Sequence, residues 1–386
     1  MNGNKIKLAL IGTNGIPASY GGAETFYENL TRQIANDYDI TVYCSKKQPR
    51  EIVGDSYLGA KLKYLPLSAN GWQSFPYDCW SLIHAARHSD VILLFGVTGC
   101  GVLLWLMRVL GFKKTVILNH GGLDEWKRES YPFIARKLGF FSRWLLRDKV
   151  IHVADNNLLS ESLKNSFGIE NVSVIRYGGD QAITVNPEPN LLKKYPFLCE
   201  QYFVAVARAQ VDNNLHILLE AFAKIPSYKL VLVSNFKVSE YGQKLYEQYR
   251  DKYPNMILIP GIYDKKELNA VRSNALAYIH SHSRCGTPPS LCEAMCLGLP
   301  IISFDCEVNH EVTDDNAYFF NTPEDLIEVI EKHSSKDYEE IGKKSYKWAM
   351  ENLTWARIGS QYSQLFDESK DDTIVEIRGG NRLIVK

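Results

Sequence analysis

Net charge is the first thing this 386-residue sequence lacks: 44 lysines and arginines are balanced by 44 aspartates and glutamates. No overall basic field draws the chain onto a polyphosphate backbone, which argues against a dedicated nucleic-acid binder. Closely or regularly spaced cysteines are also missing. The eight present are spread along the chain and read as reduced thiols, so we expect a reducing, cytoplasmic compartment. Near the N-terminus the apolar stretch Leu8 to Ile11 is too short for a signal peptide, and we expect no export. Long apolar runs are absent too. The best candidate, residues 91–107, carries no charge and meets the minimum of about 17 residues for a spanning helix. Gly96, Gly99 and Gly101 nevertheless divide it into strand, turn and helix. Internal repeats and low-complexity segments do not occur. What remains is an ordinary globular composition, 45% hydrophobic and 23% charged, which excludes a disordered or collagen-like chain. At this length a single core is not enough, and two domains are expected.

Short apolar strands alternate with helical stretches through the first half: KIKLALIG, DITVYCS, KLKYLPL, DVILLFG, KTVILN, VIHVAD and NVSVIRYG. Runs such as VILLF and TVIL suit strands covered on both faces, as βαβ crossovers require. Residues 183–198 hold three prolines and no steady period, which marks a break between domains. The alternation then resumes from YFVAVAR to PIISFD. We therefore expect an α/β protein with Rossmann-like, doubly wound domains over 1–185 and 199–350 and a linker over 186–198. A long final helix from about Tyr338 to Ser369 follows, its 351–369 part beyond the second domain, and then a hairpin-like tail over 370–386 around Gly379 and Gly380. Ligands of such sheets gather beyond the carboxyl ends of the strands, so two facing domains would frame a cleft.

Three stretches carry the chemistry. In GTNGIPASYGGAETF, Gly12, Gly15, Gly21 and Gly22 precede a helix expected near Ala23, and helix-start amides suit a phosphate. A tight turn with nothing bound fits the same residues; Pro17 and Tyr20 break the dinucleotide fingerprint and weaken a nicotinamide reading. In the second half, Arg208 ends a strand, and Asn213 and Asn214 open the next helix. That arginine either pairs with phosphate oxygens or forms a surface ion pair with Asp212. In HSHSRCGTPPSLCEAMCLGLPIISFD, Ser290 stands at the start of a short helix, where it can cap and leave amides for a diphosphate. Glu293, one turn in, either accepts both hydroxyls of a ribose or compensates the helix dipole.

Together YGGAETF, the spacing from Arg208 to Asn213 and the segment from His280 to Asp305 resemble glycosyltransferase family 4, whose GT-B fold sets two Rossmann-like domains across a cleft. GIPASYGGAETF, EWKR, GIYDKKELNAVRSNALAYIHSHSRCGTPPSLCEAM and NHEV are similar to its bacterial rhamnosyltransferase-like subgroup. The resemblance implies that Gly21 and Gly22 touch the donor diphosphate, that Arg208 binds phosphate and that Glu293 binds ribose. It also places Asn213, Ser290 and Leu291 at the donor, Tyr263 at the nucleobase and His120 facing the transferred sugar. Two departures matter. The family's phosphate-binding lysine is replaced by Asn213, with Lys237 or Arg284 as substitutes, and the first acid of the paired-glutamate motif is replaced by Cys285. The second departure suits a 6-deoxy sugar.

What the resemblance implies is a retaining transferase that moves L-rhamnose, from a donor such as dTDP-rhamnose, to a lipid-linked saccharide, with no cofactor beyond the nucleotide sugar. A nucleotide-sugar 2-epimerase of the same fold and a non-catalytic scaffold are the rival readings, with a dehydrogenase behind them. No metal site is expected: Asp37-Tyr38-Asp39 reads as a solvated turn, and Cys285, Cys292, Cys296 and Cys306 match no zinc spacing. His280 and His282 alternate along one strand and either face the cleft or serve structure. Residues 127–149 combine seven basic and two acidic residues with Phe133, Phe140, Phe141, Trp144 and Leu145. Such a helix either packs on the sheet or lies on an anionic inner leaflet as a peripheral contact.

Overall fold

The computed structural model describes residues 5–18, 21–47, 54–97, 99–121, 133–284 and 286–368. The chain divides into two compact units. One runs to Arg176 and takes up the chain again at Trp355; the other is Tyr177–Thr354.

In the first unit the strands are β1 (Lys7–Ile11), β2 (Asp39–Ser45), β3 (Ser56–Tyr57), β4 (Ala60–Leu65), β5 (Val91–Phe95), β6 (Thr115–Asn119), β7 (Ile151–Ala154) and β8 (Val172–Val174). They form one sheet in the order β3-β4-β2-β1-β5-β6-β7-β8, parallel except for the short β3. Ala9, Ile11, Ile92, Leu94, Val116 and Leu118 are buried in one core cluster, and the alternate residues Leu8, Leu10, Leu93 and Ile117 are buried as well, so these strands are covered on both faces. Strand order reverses between β1 and β5, so the loops after these two strands part at the carboxyl edge. Gly12 makes the close approach there possible. Its φ is +93°, and a Cβ would stand 3.1 Å from the Phe95 amide nitrogen, so only glycine fits.

The second unit repeats the plan with β9 (Phe203–Val206), β10 (Leu230–Ser234), β11 (Met256–Pro260), β12 (Ala277–His280), β13 (Ile301–Phe304) and β14 (Tyr318–Phe320). The order is β11-β10-β9-β12-β13-β14, all parallel, with the reversal between β9 and β12. Its core lies on both faces, Val204, Val231 and Tyr278 on one and Phe203, Leu232 and Ile279 on the other.

Two boundaries differ from those expected. Residues 186–198 do not form a linker: Pro189 opens the helix Pro189–Lys194, Pro196 opens a 3-10 turn, and Leu191, Tyr195, Phe197 and Leu198 enter the second unit's core. The prolines start short helices, where a missing N–H costs nothing, instead of marking open chain. The long final helix is two. Ser335–Asn352 stays with the second unit, and Trp355–Glu368 returns to the first. Trp355, Ile358, Tyr362 and Phe366 make its buried stripe, with Tyr362 and Trp355 ring-packed on Phe26 at 5.4 and 5.8 Å. The tail over 370–386 lies outside the described residues. No helix among the described residues is long and apolar enough to cross a membrane.

Candidate functional site

The second unit's switch point collects most of the expected residues. Arg208 leaves the carboxyl end of β9 and is exposed, and no ion pair forms with Asp212 or with any other described residue. Its backbone is fixed: the Arg208 carbonyl accepts from the Gln210 amide at 2.8 Å and from Asn213 Nδ2 at 2.7 Å. Asn213 is thus buried and holds the loop that presents Arg208; its side chain faces the chain, not solvent. Tyr263 stands exposed in the loop after β11, and Asp264 caps the helix Lys265–Ser273 behind it.

Beyond β12 the helix Pro289–Cys296 begins, and here the expected cap is replaced by something else. Pro288 is the N-cap residue and makes no side-chain cap. Ser290 Oγ lies 2.8 Å from the Tyr278 hydroxyl and 3.4 Å from the Val206 carbonyl, which ties the helix start to the end of β9. Burial pushes the Tyr278 phenol up to about 12, so this hydroxyl stays protonated. Leu291 gives its amide to the Pro288 carbonyl at 3.1 Å and its side chain to the core. The missed residue is Arg272. Only 2% of its side chain is exposed; Nη1 pairs with Glu293 Oε2 at 2.7 Å and Nη2 reaches Ser290 Oγ at 3.3 Å. Gln181 Nε2 donates to the other Glu293 oxygen at 2.6 Å. Gly179, two residues earlier, lies so close to the helix that a Cβ would stand 2.7 Å from the Glu293 amide nitrogen. Glu293 is therefore clamped from two sides while 18% of its side chain remains exposed, leaving lone pairs for hydroxyl donors.

In the first unit Gly21 is the N-cap of the helix Gly22–Ile34, at a φ of +117° that glycine alone adopts readily. The loop before it is held from the helix: Glu24 Oε1 accepts from Asn14 N at 3.0 Å and Asn14 Nδ2 at 2.7 Å, and Glu28 Oε2 accepts from Ala18 N at 2.6 Å. A carboxylate, that of Glu24, already stands in the first turn of this helix.

His120 is not open to a ligand through its ring. Arg143 Nε donates to His120 Nδ1 at 3.3 Å, His120 Nε2 meets His152 Nδ1 at 2.9 Å, and His152 Nε2 meets the Arg147 carbonyl at 3.1 Å. An arginine Nε always carries hydrogen, so the chain of donors fixes both tautomers. Burial, with the neighbouring cation, drives His120 well below its ordinary pKa, and burial takes His152 down to about 4. Folded His152 thus stays neutral while the unfolded residue takes a proton below about 6.5. Its stabilising effect is complete above that pH and is lost as pH falls towards 4. We predict a loss of about 2 kcal/mol between pH 7 and pH 5 from this residue. Urea unfolding at both values checks it, and the loss should shrink in His152→Asn.

Other signals resolve into structure. Cys292 and Cys296 are buried in the core, and Asp39 opens β2 at the sheet's amino edge, paired with Lys61 at 2.9 Å. Asn309 of NHEV donates to the His282 carbonyl at 3.0 Å, while His310 bridges Asp305 and Asp315. EWKR and Cys285 lie outside the described residues.

Residues 191–348 match the family model described as glycosyl transferases group 1, and residues 5–180 match one described as a domain of unknown function, DUF1972. A probable sucrose-phosphate synthase of Thermosipho melanesiensis is 24% identical over 204 residues, 49% of this chain and 48% of that protein. The chain thus spans about half the length of this curated relative. Sucrose-phosphate synthase from Thermosynechococcus elongatus superposes with a TM-score of 0.79 at 16% identity, covering 94% of this chain and 99% of that one. Anabaena HepE, in complex with UDP and glucose, gives 0.72 at 12% identity, covering 94% and 100%. The chain has the GT-B fold of two Rossmann-like domains, and residues 191–348, within the second of them, are what matches the group 1 model.

Proposed function

We propose that this protein is a metal-independent glycosyltransferase that uses a nucleoside-diphosphate sugar. One observation carries the reading: an exposed arginine that pairs with no described residue and a clamped, largely buried carboxylate flank the same switch point, beyond adjacent strands β9 and β12. Departure of the diphosphate builds negative charge, which the Arg208 guanidinium stabilises. The exposed Lys237 or Arg284 supplies the second cation that Asn213 does not. Glu293 holds the ribose hydroxyls, and Tyr263 offers an aromatic face to the base. UDP and UDP-glucose occupy the solved complexes of HepE, which supports a nucleotide-sugar donor here.

The finer assignment is L-rhamnose as the sugar, a lipid-linked saccharide as acceptor and retention of configuration. An acid missing at position 285 suits a sugar with fewer hydroxyls to bind. Peripheral contact with an anionic leaflet is supported by the helix Phe133–Leu146, which exposes Phe133, Ile134, Phe141 and Trp144, with Arg147 over the Trp144 ring at 4.9 Å. Co-sedimentation with phosphatidylglycerol vesicles but not with phosphatidylcholine vesicles checks that contact.

A thermal-shift screen across nucleotide sugars, dTDP-rhamnose and UDP-glucose included, tests the central reading, because a bound ligand raises the melting temperature by mass action. Failure of every nucleotide sugar to stabilise the chain would overturn it. Release of nucleoside diphosphate only when acceptor is added separates transfer from 2-epimerisation.

A further inference from the structure

The first unit's own switch point, between β1 and β5, holds a group that the donor chemistry does not use. The helix Ser74–His88 begins over the gap between the two loops. Tyr77 Oη donates to the Thr13 carbonyl at 2.9 Å, in the loop after β1, and Cys79 Sγ lies 3.6 Å from the Gly99 carbonyl, in the loop after β5. Asp78 sits between these anchors. Its side chain rests directly on Gly99, where an added Cβ would stand 2.9 Å from the Asp78 carboxyl carbon, so the carboxylate fits only because residue 99 is glycine.

This carboxylate makes no hydrogen bond or ion pair with any described residue, and its oxygens are not closed off from solvent. Among the described residues, the titratable groups around it are Tyr27 on the helix Gly22–Ile34, Cys79 on its own helix and Cys100 in the loop after β5. None is a cation. Burial alone pushes the carboxyl up to about 7. An unpaired acid is costly in such a place, and a chain selected for stability alone would have paired or removed it. Open sheets bind ligands at this crevice. A carboxyl without a cation beside it repels anions and suits neutral hydroxyl donors.

We propose that Asp78 is a saccharide-binding residue of the first unit, accepting hydrogen bonds from sugar hydroxyls in the crevice between the β1 and β5 loops. The proposal rests on the glycosyl-transfer reading and assigns the acceptor saccharide to the first unit.

Two measurements on the full chain test it. Folded Asp78 keeps its proton up to about pH 7 while the unfolded residue loses it near 3.9, so the folded state binds more protons in between and stability falls as pH rises. The Asp78→Asn protein should therefore melt at a higher temperature than the parent at pH 8 and at the same temperature at pH 4. Equal melting at pH 8 would mean that the carboxylate is satisfied internally and would overturn the proposal. Secondly, calorimetric titration with methyl α-L-rhamnoside, methyl β-D-glucoside and methyl β-D-galactoside should show millimolar binding of at least one to the parent, weakened at least tenfold in Asp78→Leu. Binding that ignores the substitution, or no binding of any glycoside, also sinks it. If nucleotide sugars still stabilise both proteins, only this inference fails; if they stabilise neither, the donor reading fails instead.

Discussion

An Arg208→Ala protein is expected to unfold within about 0.5 kcal/mol of the parent and yet to transfer sugar on the order of a hundredfold more slowly. The two halves of this result have separate causes. Stability is spared because the guanidinium is exposed and pairs with no described residue, while the local contacts use the Arg208 carbonyl, which alanine keeps. Turnover falls because a preorganised charge partner for the leaving diphosphate is gone. Arg208→Lys should lie between, since an ammonium keeps the charge and loses the two-pronged geometry. Steady-state rates with whichever nucleotide sugar stabilises the parent decide the matter. Undiminished turnover would place the leaving group elsewhere.

Arg272 should behave in the opposite way. Arg272→Met is expected to cost about 3 to 4 kcal/mol of stability, because it strands the Glu293 carboxylate in a largely buried position. Donor affinity should fall with it, as Glu293 is then held by Gln181 alone. The double variant Arg272→Met with Glu293→Leu should recover most of the stability and none of the donor binding, since removing both partners leaves no buried charge. Urea midpoints and donor titrations of the three proteins measure this cycle. A single-variant cost below about 1 kcal/mol would show that the pair is solvated.

Much of this arrangement is legible in the residues. Apolar runs such as VILLF and TVIL announced parallel strands, and the position of Arg208 after VAVA put it at the ligand edge without any tertiary information. Glu293 was legible for the same reason, one turn into a helix after a strand. Its clamp was not. Gln181 stands 112 residues before Glu293, and Arg272 lies on a different helix with a spacing that suggests a surface residue. Nothing local in the sequence marks either as a partner. Ser290 misled because Ser at a helix start usually caps, whereas here two prolines open the helix and the hydroxyl turns to Tyr278. His120 misled for a related reason: its position after β6 is right for a ligand, and only the fold brings Arg143 and His152 to its two nitrogens.

The return of Trp355–Glu368 to the first unit has a consequence for biosynthesis. The second unit is an uninterrupted insert, so a nascent chain holds all of it before the ribosome has made the closing helix of the first. Until then Phe26 lacks the rings of Trp355 and Tyr362, and the Asn119 amide lacks the Tyr362 hydroxyl that it meets at 2.7 Å. The domain that begins first is thus the one completed last, and a premature stop ahead of Trp355 would leave a finished second unit tethered to an open, aggregation-prone sheet.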